Sequence, residues 1–262
     1  MSLLKTLIKI CLILILLLMI IVISCAIYIQ ATKPAVPSFE QVKSDFSIIY
    51  QTKEGFEWIS LEEISPEALT FFSSGEQNRP SSYWLQTIDS SFCNLPSAAI
   101  YPHGTRRSER EILAWMLVGK FKIYYDLPIE TGTPARPITK LLHACTLSTD
   151  LLHLWSEQQL IEAGINLSYY GFDHYGIHAA SLSYFDKSVR QLSLHETVIL
   201  IGIPQSPSSY SQNKEDLFRR SCRVLTRLPI PEQEKNCELL KPYIDDMFSN
   251  RIPMLQQQRQ AS

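Results

Sequence analysis

Six histidines and six cysteines are the residues of this 262-residue chain best suited to nucleophilic, acid–base or metal chemistry. Asp173 and His174 are two of the three side-chain types of a serine hydrolase. Sequence neighbours, however, do not form such a triad, in which the carboxylate must reach the far ring nitrogen of the histidine. His143 and His153 are ten positions apart and do not share a helical face. The cysteines contain no CxxC pair, so no zinc site is expected, and nothing implies a cofactor. The chain carries 24 basic and 26 acidic residues, a mildly acidic balance that argues against a nucleic-acid partner, which needs an excess of Lys and Arg.

These residues are carried by a chain with two very different parts. Residues 11–29 hold no charge and no proline and are dominated by Leu and Ile. At ~1.5 Å per residue such a run crosses a ~30 Å hydrocarbon layer, whereas a cleavable leader has a shorter apolar centre. Lys5 and Lys9 precede it, so a single transmembrane helix is expected with its N-terminus in the cytoplasm and residues 31–262 outside. Val22-Ile23-Ser24-Cys25 also resembles a lipoprotein cleavage site, which would leave a lipid on Cys25 instead. Both routes place the body outside the cytoplasm.

An exported body permits disulfides. Cys93, Cys145, Cys222 and Cys237 allow three pairings; the short Pro-containing turn between two helical stretches favours Cys222–Cys237. Residues 31–57 read as a linker, and 76–105 and 126–137 as loops rich in Pro, Gly and Ser or Thr. Ser65-Pro66 opens a helical run. Apolar periodicity predicts further helices near 107–125, 138–155, 157–166, 176–185, 193–203, 213–227 and 234–248, with a Gln-rich tail behind them. Ser193 with Glu196 reads as a capping box, and the small residues Gly176, Ala179 and Ala180 as a site of close helix approach. No segment alternates as a strand does. The reading is a mainly α body of one domain.

The stretch from Gly171 to Arg220 is the most specific. Gly171, Tyr175-Gly176-Ile177, Ala179-Ala180, Tyr184-Phe185, Lys187, Leu192, Leu194, Glu196, Gly202, Pro204, Pro207, Tyr210 and Arg219-Arg220 stand in an order that closely resembles the family-51 glycosyltransferases, the peptidoglycan glycosyltransferases. Upstream, Trp58-Ile-Ser-Leu-Glu-Glu-Ile-Ser-Pro66 resembles the family segment that leads to its first catalytic carboxylate, and Leu160-Ile161-Glu162 with Asn166 resembles the helix ending in its Tyr-Leu-Asn element. The resemblance covers most of residues 58–228 and implies a lysozyme-like helical glycosyltransferase domain behind one transmembrane helix. Residues 229–262 would form a C-terminal helix and tail, too short for a transpeptidase domain.

The family extends a lipid-linked glycan on lipid II with loss of undecaprenyl pyrophosphate. The reaction needs a carboxylate base and cations for the leaving group. Counting on from Trp58 places Glu76 on the base, and Lys140 is the one cation that remains of the Arg-Lys-x-x-Glu element. Around them the resemblance fails. The Glu-Asp-x-x-Phe-x-x-His-x-Gly element reads Glu76-Gln77-Asn78-Arg79-Pro80-Ser81-Ser82-Tyr83-Trp84-Leu85, and the second catalytic Glu falls on Ala144 or His143. No counterpart of the Gly-Gly-Ser-Thr-Ile-Thr-Gln-Gln element is found.

The expectation is therefore a protein of bacterial cell-wall biogenesis in the inner membrane, its body periplasmic, with impaired or lost polymerase activity. An active enzyme using Glu76 is one alternative. An envelope interaction protein that reuses the fold is the other. Lipid II, a glycan strand and cell-wall synthesis proteins are the expected partners besides the membrane. The basic run Thr105 to Arg110, ahead of Trp115, Phe121, Tyr124 and Tyr125, fits the family's middle region, which dips into the bilayer surface.

Overall fold

A computed structural model describes residues 2–32, 35–73, 109–124, 137–210 and 212–261. The described part is helical, with a lone antiparallel bridge between Tyr169 and Tyr175. Helix α1 (Ser2–Thr32) contains one window, Ile8–Tyr28, long and apolar enough to cross a membrane, and none of that window is buried against the body. By length and composition it is a candidate for the expected spanning helix.

Helix α2 (Phe39–Tyr50) lies where a linker was expected. Val42, Phe46 and Tyr50 fall at i, i+4 and i+8 and are all buried, so this segment is part of the core. Ser38 caps its start by accepting the Gln41 N–H. The chain then passes through Trp58 and Ile59 into α3 (Pro66–Ser73), with Pro66 in the first turn where its missing N–H costs nothing.

Helices α4 (Glu109–Tyr124), α5 (Pro137–Leu154), α6 (Glu157–Leu167), α7 (Ile177–Phe185), α8 (Leu194–Gly202), α9 (Pro207–Tyr210) and α10 (Lys214–Leu225) follow. Those longer than one turn lie close to their predicted positions. Ser193 and Glu196 form the expected capping box, and Glu196 is held beneath Lys187 at 2.6 Å. The expected helix over 234–248 is different. Pro242 cannot sit deep inside a helix, so short 3₁₀ turns fill 232–240 and α11 (Lys241–Asp246) begins beside that proline. A π turn over Met247–Arg251 joins α11 to α12 (Ile252–Ala261). The Gln-rich tail is thus helical and buries Ile252 and Leu255. Cys222 and Cys237 are joined, as the sequence favoured. Cys93 lies outside the described residues, as does the side chain of Cys145.

Two apolar clusters make the core, and α6 serves both. Ile161 and Ile165 face a cluster with Phe71, Tyr184 and Val198. Leu160, Ala163 and Leu167 face the other, with Phe46, Leu117, Phe121 and Trp155. Gly164 permits the approach of α4, since a Cβ there would lie 2.7 Å from Leu113 Cδ2.

Gly176 does not act as a helix-contact glycine. It precedes α7 with φ 83° and ψ 149°, and a Cβ there would lie 3.1 Å from the Asn166 carbonyl. That backbone region is open almost only to glycine. Gly176→Ala is expected to lower unfolding stability by about 1–3 kcal/mol in denaturant titrations of the detergent-solubilised protein.

Candidate functional site

The lead-in to Glu76 is fixed by contacts that span the chain. Asn166 is fully buried at the end of α6. Its Oδ1 accepts the Ile59 N–H at 2.8 Å, and its Nδ2 donates to the Ile59 carbonyl at 2.7 Å and to the Glu162 carbonyl at 2.9 Å. One side chain thereby satisfies both polar groups of a buried peptide segment, as a neighbouring strand would. One turn earlier, Glu162 accepts from the Trp58 indole at 2.8 Å and lies 3.6 Å from the Lys43 ammonium. Trp58, Ile59, Glu162 and Asn166 all stand in the stretches that resemble the family.

A polar cluster holds the other side of the same segment. Arg190 bridges Glu57 (3.0 Å) and Glu63. His178 places Nδ1 at 2.9 Å from Glu57, out of line for a hydrogen bond, so this is a contact of charge and dipole. Beyond Ile59 the Glu63 carboxylate accepts the Ser60 N–H and starts the turn that leads to α3. Phe71 of α3 is buried, with the guanidinium groups of Arg220 and Arg227 at 5.3 and 5.7 Å from its ring centroid. Arg220, from the Arg219-Arg220 pair, thus stands on the helix that ends just before Glu76.

Glu76 itself lies outside the described residues. Lys140 stands in the first turn of α5, but its side chain is not among those described. What is brought together among the described residues is Trp58, Ile59, Glu162 and Asn166, on the segment that runs on in sequence through α3 towards Glu76. Asp173 and His174 form no triad. Asp173 pairs with Lys53 at 2.6 Å, and His174 Nε2 is 2.8 Å from the Ser183 hydroxyl. His174 and His178 do stand four apart, a spacing that can chelate a metal on one helix. Here Gly176 breaks the register between them, and the two rings face Ser183 and Glu57. Among the described residues no group of three His, Cys, Asp or Glu could hold a metal.

Sequence reasoning missed Lys120. It lies on α4 with its ammonium 4.8 Å from the Tyr175 ring centroid, and burial pushes its pKa below the usual lysine value. No carboxylate partners it among the described residues. A lysine between Gly119 and Phe121, within an apolar, aromatic stretch of helix, was the available signal. Such a desolvated cation is suited to an anionic ligand.

With the geometry in view, the comparisons with known proteins are direct. Residues 125–229 match the transglycosylase family. Penicillin-binding protein 1A of Clostridium tetani is 34% identical over 116 residues, which is 41% of this chain and 14% of that protein. Biosynthetic peptidoglycan transglycosylases of Haemophilus influenzae strain PittEE and Mannheimia succiniciproducens are 26% and 25% identical, over 63% and 65% of this chain and 64% and 65% of theirs. The chain thus spans a small part of the penicillin-binding proteins and just under two thirds of the transglycosylases it matches. The match of residues 125–229 to a transglycosylase domain agrees with the resemblance to glycosyltransferase family 51.

Removing the Asn166 carboxamide strands the Ile59 N–H and carbonyl in the core. Asn166→Ala should therefore cost on the order of 3 kcal/mol in equilibrium unfolding, well above a typical surface change.

Burial holds the His174 pKa below that of a free imidazole, outweighing the opposing pull of Glu54 and Asp173. The unfolded ring takes its proton near pH ~6.5, while the folded ring does so only at lower pH. Between those values the unfolded state binds more protons, so stability falls on acidification. Thermal unfolding followed from pH 8 to pH 5 should show that fall, and His174→Gln should flatten it.

Proposed function

We propose that this protein is a membrane-anchored, peptidoglycan glycosyltransferase-like component of bacterial cell-wall biogenesis whose lipid II polymerase activity is impaired or lost. Its body would face the periplasm, held by the Ile8–Tyr28 helix. The observation that carries this reading is a division within the family's sequence. The clamp residues Trp58, Ile59, Glu162 and Asn166 are present and satisfied. Meanwhile the position expected to carry the second catalytic carboxylate is Ala144 or His143, and the element around Glu76 keeps only the glutamate. A polymerase that keeps only Lys140 of the Arg-Lys-x-x-Glu element and lacks the donor-rich Gly-Ser-Thr element has little with which to stabilise a departing pyrophosphate. Binding of lipid II or a glycan strand, or service to cell-wall synthesis proteins, needs the scaffold and not those groups.

Lys120 favours a second reading, an active divergent enzyme. A desolvated ammonium beside Tyr175 could take the place of a lost cation, with Glu76 as general base and Lys140 as a further phosphate contact.

Polymerisation of labelled lipid II by the detergent-solubilised full chain, with Glu76→Gln in parallel, separates the two. The expected result is no glycan from either, under conditions where an intact family member makes it. Glycan from the wild type, reduced about 10²- to 10⁴-fold in Glu76→Gln, would establish an active enzyme that uses Glu76 as base.

A further inference from the structure

The turn after α6 is strained in a way the clamp does not require. Gly171, Phe172 and Asp173 take φ values of 94°, 64° and 49° in the order Gly, Asp, Phe, so three successive residues are left-handed. For Phe172 this is a true outlier, since its side chain gains nothing from that backbone region. Such strain persists only where the surroundings over-determine it, and it gathers at ligand clamps. The turn forms one wall of a cleft of about 450 Å³. Tyr169 and Phe172 supply that wall, Ser208 and Gln212 line it from the segment around α9, and Gln256 and Gln260 close it from α12.

The chemistry of this lining is selective. Among the described residues no lining residue is charged, which disfavours a phosphate, a carboxylate or a basic peptide. Three primary amides converge, and each offers paired donors and an acceptor. Among the described residues none of these three carboxamides is engaged by the protein. Among the described residues the Tyr169 hydroxyl accepts only the Asp173 N–H, at a long 3.5 Å. Tyr169 and Phe172 are half-buried, so their rings add apolar surface to the same space. The volume is within the range of small-molecule sites, roughly 300–1,000 Å³.

We propose that this cleft is a binding site for a neutral saccharide. Its vicinal hydroxyls would pair with Gln212, Gln256 and Gln260, and the C–H face of a sugar ring would rest on Phe172 or Tyr169. The proposal goes beyond the polymerase question. Two of its three carboxamides, Gln256 and Gln260, come from α12, outside the matched residues 125–229.

The test is titration of the detergent-solubilised full chain with N,N′-diacetylchitobiose, followed by calorimetry. Saturable binding is expected, weakened about tenfold or more by Gln212→Ala combined with Gln256→Ala, since two hydrogen-bonding groups are lost. Gln233→Ala, at an exposed position away from the cleft, should bind as the wild type does. Unchanged thermal unfolding and an intact Cys222–Cys237 bond show that the double variant folds. Absence of saturable binding by the wild type, or equal affinity in the double variant, overturns the assignment. Lipid II polymerisation measured on the same double variant keeps the two questions apart, because a change there without a change in chitobiose affinity bears only on the polymerase reading.

Discussion

The carboxamide of Asn166, wholly buried at the end of α6, joins parts of the chain 107 residues apart by holding the Ile59 N–H and carbonyl together. Its third hydrogen bond goes back to its own helix at Glu162. A peptide group buried without partners costs as much as a lost hydrogen bond or more, so the segment from Trp58 to α3 can enter the core only where this side chain meets it. The position is therefore set by hydrogen-bond satisfaction, with apolar packing filling in around it. Ile59 lies in one apolar cluster and Trp58 packs against the other, so the clamp stands on the seam between them.

Helix α6 can play this part because its last two turns are buried. From Leu160 to Leu167 only Glu162 is partly open, and its carboxylate is used by Trp58 and Lys43. One set of positions, 161 and 165, serves one cluster, and 160, 163 and 167 serve the other. A helix apolar on all sides belongs inside a core. The strained turn at Gly171–Asp173 and the glycine-only backbone at Gly176 then return the chain to α7, where His178 and, further on, Arg190 meet Glu57 from the opposite side. The segment leading to Glu76 is gripped from two directions by residues of one continuous stretch, Glu162 to Arg190.

Much of this was legible in the sequence because it is local. The helix limits of α4 to α8 and α10 follow from apolar periodicity, and Ser193 with Glu196 announces its own cap. The Cys222–Cys237 bond was favoured because the two residues flank a short turn. Helix α2 was missed because Pro34 and Pro37 just ahead of it suggested a linker, while its core face is only Val42, Phe46 and Tyr50. Such a face becomes visible only once partners such as Phe121 and Trp155 are placed against it. The Gln-rich tail was misread for the related reason that Ile252 and Leu255 are two apolar residues in a polar run. Lys120, the Arg190 bridges and the cleft of Gln212, Gln256 and Gln260 depend on long-range contacts, which no spacing rule encodes.

The same distinction bears on how a fold can outlast its chemistry. Asn166 cannot be lost without stranding a buried peptide group, nor can Lys187 without leaving the Glu196 carboxylate, 3% exposed, without its cation. Arg220 is likewise tied to Phe71 in the core. Each of these residues stands in the stretches that resemble the family and also supports the fold. Groups that act on a substrate have no such support. They are held ready for a ligand, and a desolvated charge such as Lys120 is a cost to the folded state until something binds. Replacing such a group need not weaken the fold at all. A chain that keeps every clamp and changes the reactive positions is thus physically coherent as a scaffold, and its remaining unsatisfied polar surface is where a ligand should be sought.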